Sequence, residues 1–161
     1  MRRLFWTTVA ILGAVLVETA LGYLVSAPGR YLDPFLLVVV YCALRGGEGQ
    51  GLVVGAAAGW VQDLLFGGPI LGLSALAKLL VGFVVGAAAS RFLIGGASAR
   101  ALVLLLATAA EALLVQWLAS VFGIEATPMS PLTLATRATL TAVVGGALFA
   151  MLDRRLQRFE P

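Results

Sequence analysis

The sequence predicts an all-α integral membrane protein of six transmembrane helices, and three observations carry that expectation. Hydrophobic residues make up 61% of the 161-residue chain and charged residues only 12%, with a mean hydropathy of +1.02. A soluble domain this small could not hide so much apolar surface. Apolar runs recur at roughly 4–25, 33–44, 51–66, 70–90, 101–122 and 131–152, as helices in lipid would require. The arginines then sort between the ends of these runs. Arg2, Arg3, Arg45, Arg91, Arg100, Arg154, Arg155 and Arg158 fall at one set of ends, and only Arg30 at the other. Positive charge stays on the cytoplasmic side, so residues 1–161 are expected to form one transmembrane domain with both termini in the cytoplasm.

Each run has its own boundary chemistry. The first follows Arg2 and Arg3 and ends in Val25-Ser26-Ala27, much like a signal peptide. It exceeds the roughly 7–15 apolar residues of such a leader, and Glu18 interrupts it, so it reads as a retained first span. Asp33 and Pro34 open the second run as N-cap and first helical residue. The second and third runs are short and call for tilt, a kink or shelter by neighbours. Between them Arg45-Gly46-Gly47-Glu48-Gly49-Gln50 reads as a flexible cytoplasmic turn, lacking the Gly-Lys-Ser/Thr ending of a phosphate-binding loop. Gly67-Gly68-Pro69 turns the chain tightly into the fourth run. Pro128 and Pro131 bracket the entry to the sixth. The remaining connections, 26–32 and 123–130 outside and 94–100 inside, hold no soluble domain, so function must lie in the helices and their lateral surfaces.

Five ionisable residues fall inside the runs: Glu18, Asp63, Lys78, Glu111 and Arg137. At roughly 3 kcal/mol each near the bilayer centre, they would cost on the order of 15 kcal/mol without partners. Three acids and two bases nearly neutralise one another, so all are expected to face the bundle interior. With a rise of about 1.5 Å per residue, Glu111 lies near mid-run and the other four lie toward the outer side. A polar interior in the outer half follows, and a cavity if it opens. Two readings stand side by side: interhelical pairs, Asp63 with Lys78 and Glu111 with Arg137, or a ligand site or proton path.

Small residues recur at four-residue spacing in Gly55/Gly59, in Gly82/Gly86 with Ser90 beyond, and in Ala142/Gly146/Ala150. Such faces let helix backbones approach closely, here within the bundle or against a partner's transmembrane helix. Other chemistry is excluded more readily. Cys42 is the single cysteine and histidine is absent, so no disulfide, redox motif or zinc site is expected. Ser74, Ser90 and Ser120 lack the neighbours of a nucleophile. The basic residues sit at run ends without interleaved aromatics, which opposes nucleic-acid binding. Trp6 suits the inner membrane boundary, and Trp60 and Trp117 suit contact with helices or lipid. No enzymatic activity, cofactor or metal is expected.

Residues 44–86 carry the most specific pattern: Leu44-Arg45-Gly46, the ladder Gly51/Gly55/Gly59, Gln62-Asp63-Leu64-Leu65, Gly68-Pro69, Leu71-Gly72, Ala75-Leu76 and Gly82-Phe83. This quarter of the chain resembles the rod shape-determining protein MreD family, and total length, six-run layout and short basic tail are similar too. Lys78 departs from the pattern, standing where an apolar or small residue is expected. The resemblance implies a non-enzymatic scaffold in the bacterial inner (cytoplasmic) membrane, part of the cell-elongation machinery. It implies as partners a single-span MreC-like protein, MreB filaments, and the polymerase RodA with its transpeptidase. Asp63, beside Gln62, would then stabilise the turn or meet a partner near the membrane surface. The alternative is the substrate-binding component of an energy-coupling-factor vitamin transporter, and the resemblance implies a fold similar to that component's. Ala10-Ile11-Leu12-Gly13-Ala14 resembles its docking pattern, while the short outer connections offer little to close over a vitamin.

Overall fold

Asp33 and Pro34 start the central helix as their chemistry requires. Pro34 occupies the first turn, where no backbone donor is needed, and Asp33 accepts a hydrogen bond from the Leu36 N–H at 2.9 Å. The computed structural model describes residues 2–24, 32–67, 70–92, 96–123 and 130–157. Among these it has five helices, α1 (Arg2–Leu24), α2 (Pro34–Phe66), α3 (Leu73–Arg91), α4 (Ala97–Val121) and α5 (Pro131–Gln157), and no strand. Each helix is long and apolar enough to cross a membrane. The chain is an all-helical membrane protein.

Three boundaries differ from the sequence reading. The segment 45–50, expected as a flexible turn, is helical except at Gly47, whose φ of 75° and ψ of −168° only glycine adopts without strain. There α2 folds back on itself. The rings of Phe35 and Phe66, at opposite ends of α2, lie 6.0 Å apart, where a straight helix would hold them more than ~40 Å apart. A Cβ at Gly51 would come within 2.9 Å of the Ala43 side chain. The expected second and third runs are therefore two antiparallel arms, 34–46 and 48–66, bent at one residue. Similarly, α4 begins at Ala97 inside the expected connection 94–100, and α5 runs on to Gln157. Most of the connections 26–32 and 123–130, Gly68, Pro69, and the side chains of the terminal arginines lie outside the described residues.

The first arm of α2 is the centre of the molecule. It is about 20 Å long, too short to present a full apolar span, and it is enclosed by neighbours. Leu36, Leu37, Val40 and Ala43 join Val81 and Val85 of α3, Leu104 and Ala107 of α4, and Ala142 and Phe149 of α5 in one core. Its other side, Phe35, Val39 and Cys42, packs with Ala14 of α1 and with Val54 and Ala58 of the second arm. A helix apolar on every side belongs in such an interior.

The second arm of α2 lies backbone to backbone against α3. A Cβ at Gly51 would overlap the Gly82 carbonyl, one at Gly55 the Lys78 carbonyl, one at Gly59 the Ala75 backbone, and one at Gly86 Gly47. The small-residue faces of Gly55, Gly59, Gly82 and Gly86 are thus filled inside the bundle, which leaves no room there for a partner helix. Backbone cannot give way as a flexible side chain can, so Gly55→Val and Gly59→Val should each destabilise the detergent-solubilised protein by roughly 1–3 kcal/mol. Gly146→Ala, whose Cβ would meet Ala101 at an ordinary 3.8 Å, should be near neutral. Thermal unfolding followed by circular dichroism measures all three.

Candidate functional site

Lys78 and Arg137 are cations on helices bounded by lipid-facing residues, and the structure gives each the same two anions. Lys78 Nζ donates to Asp33 Oδ2 at 2.7 Å and to Glu111 Oε1 at 2.6 Å. Arg137 Nη2 donates to Asp33 Oδ2 at 3.1 Å and to Glu111 Oε2 at 2.9 Å. The four side chains close an alternating ring in which every charge touches two of opposite sign. Side-chain exposure is 0% for Lys78 and Asp33, 4% for Glu111 and 8% for Arg137. Charge-assisted contacts at these lengths are the strong kind, and in low dielectric they offset the desolvation that each ion alone would suffer.

Helix order places these residues together. Asp33 caps α2, Lys78 is on the second turn of α3, Arg137 on the second turn of α5, and Glu111 past the middle of α4. All lie toward the end of the bundle where α2, α3 and α5 begin. Their buried side chains make up the polar interior that the sequence predicts. Asp33 divides its work: Oδ1 receives the Leu36 N–H while Oδ2 serves the ring. Thr108, wholly buried, satisfies its own hydroxyl on the Leu104 carbonyl at 2.8 Å.

Glu18 stands beside the ring. It is 5% exposed, Gln62 hydrogen-bonds to its carboxylate, and it feels the charges of Asp33, Lys78 and Arg137. With Glu18 counted, α1 to α5 each contribute an ionisable residue to one buried cluster.

Asp63 is elsewhere and does different work. The expected Asp63–Lys78 pair is corrected: among the described residues the Lys78 ammonium is taken up by Asp33 and Glu111. Asp63 Oδ2 instead accepts backbone N–H groups from Gly72 at 2.8 Å, Ser74 at 3.1 Å and Ala75 at 3.4 Å. These are donors left open at the start of a helix. Gly72, with φ 98°, has no side chain to cap α3, so a carboxylate from α2 caps it across the turn. The positive end of the α3 dipole favours that negative charge. The expected Glu111–Arg137 contact is present, but as one side of the ring. Sequence reasoning missed Asp33 as a ring member, assigning it only the cap. The signal was available: an acid at the same outer depth as two cations.

Removing one ring member strands its partners. Lys78→Met should cost about 3–5 kcal/mol, whereas the double variant Lys78→Arg with Arg137→Lys keeps the signs alternating around the ring and should lose much less. A loss as large as that of Lys78→Met would mean that local geometry, rather than charge alternation, sets the site. Asp63→Ala should cost about 1–2 kcal/mol as a lost cap, with Asp63→Asn milder because one acceptor oxygen remains. Unfolding of the purified variants in detergent separates these outcomes.

Comparison with known proteins adds one finding. Among curated proteins and among solved structures, none matches this chain. Residues 2–156 match the family described as rod shape-determining protein MreD, a stretch that takes in α1 to α4, all of α5 but Gln157, the charge ring and the Asp63 cap. The chain belongs to the MreD family.

Proposed function

We propose that this protein is a non-enzymatic scaffold of the bacterial cell-elongation complex, held in the inner membrane by six crossings with both termini in the cytoplasm. The two arms of α2 supply two of those crossings, and the arginine distribution sets the direction. In this reading the protein binds a single-span MreC-like partner. It helps couple MreB filaments to peptidoglycan synthesis by RodA and its transpeptidase. Family membership supports a role in rod shape.

The observation that carries a scaffold over a carrier is the closed charge ring. Intramembrane charge commonly marks a substrate or ion path, but here each ring charge is already engaged by two others of this chain. A rigid bundle results, suited to presenting a fixed lateral surface. The vitamin-transporter alternative draws less support. Ala14, half of its docking-like pattern, is 3% exposed and packed on α2, and the ring charges are engaged with one another.

Affinity purification of the full chain from native membranes in mild detergent, with mass spectrometry of co-purifying proteins, tests the proposal. Recovery of an MreC-like protein with elongation polymerases is expected. Recovery of paired ATPases and a membrane coupler would overturn the scaffold reading in favour of the transporter.

A further inference from the structure

The end of the bundle opposite the charge ring carries a second polar feature. Tyr41, Leu44 and Arg45 on the first arm of α2, Arg100 on the first turn of α4 and Phe149 on α5 line one recess. The Tyr41 and Phe149 rings, 5.1 Å apart and tilted by 49°, form its floor, with Phe149 2% exposed. The Arg45 guanidinium stands 5.3 Å over the Tyr41 ring. Arg45 and Arg100 both make further interactions within the protein. The recess lies beside the Gly47 bend and the start of α4, at the end of the bundle where the arginine distribution predicts the cytoplasmic headgroup region.

We propose that this recess binds the phosphate headgroup of an anionic phospholipid, with Arg45 and Arg100 on the phosphate and the Tyr41–Phe149 pair beneath the glycerol region. Two guanidiniums from different helices suit a phosphate because each presents a planar fork of donors to its oxygens. The recess is small and mostly polar at its surface, so it suits the headgroup itself and leaves the acyl chains to the side of the bundle. Basic recesses between helices at this depth favour anionic lipids for that reason. A bound lipid would tie the α2 bend to α4. The inference rests only on membrane placement, so failure of the scaffold reading would leave it standing.

The test uses the full chain in nanodiscs of equal phosphatidylglycerol and phosphatidylcholine, released into mild detergent for native mass spectrometry. Wild type should retain phosphatidylglycerol in preference to phosphatidylcholine. Retention should fall about fivefold for each guanidinium removed, in Arg45→Ala, Arg100→Ala and the double variant. Arg91→Ala, which removes an exposed charge at the same end outside the recess, should retain wild-type binding. Should the double variant unfold, as thermal melting would reveal, the single variants are read in the same way. Undiminished retention in variants that stay folded would overturn the proposal. So would an equal loss in Arg91→Ala, which would indicate general attraction to a basic end. Displacement of the lipid by inorganic phosphate at equal concentration would also overturn it, assigning the recess to free phosphate.

Discussion

Lys78 and Arg137 sit where a lone cation would be costly in hydrocarbon, and both are tolerated because they reach the same two carboxylates at 2.6–3.1 Å. The ring they form with Asp33 and Glu111 can close only if the start of α2, the second turns of α3 and α5, and the middle of α4 converge. That requirement constrains helix order, depth and rotation together. Apolar packing in lipid is weakly directional, since hydrocarbon tails are as apolar as the side chains they replace. A closed set of charges is directional, and supplies the register that the apolar core alone would leave loose.

Around the ring, close backbone contact does the remaining alignment. The glycines of the second α2 arm meet α3 without side chains between them, so dispersion contacts are short and numerous. Asp63 acts at the end of the same interface. Its carboxylate closes the start of α3 and thereby fixes the angle at which the ladder begins. The two features depend on each other: a shifted ladder would carry the Gly72, Ser74 and Ala75 donors away from Asp63. The first α2 arm, short and enclosed, is held by this frame more than by its own length.

The molecule is polarised along its long direction. One end holds the buried ring and the cap, whose charges are met within the chain, although Arg137 Nε and Asp63 Oδ1 are buried without a hydrogen-bond partner among the described residues. The opposite end holds the Gly47 bend and the recess lined by Arg45, Arg100 and Tyr41.

The sequence by itself determined much of this. Composition established the class, and the apolar runs located the helices. The Asp33-Pro34 start was legible because capping is local chemistry. Buried charge was also foreseeable, because isolated charge in lipid is too costly to leave exposed. Partners were harder. Asp63 and Lys78 look paired when the chain is read along the Gly67 turn, but Lys78 turns toward α4 and the α2 start instead. Which charge meets which depends on helix rotation and adjacency, to which residues distant in sequence contribute, such as Asp33 and Arg137. The reversal at Gly47 was likewise decided by tertiary structure: the glycines there permit a bend, and the packing of Gly51 on Gly82 and of Phe35 on Phe66 makes it one sharp turn between two helical arms. Local chemistry sets what a segment can do; only the packed bundle selects the partner with which it does it.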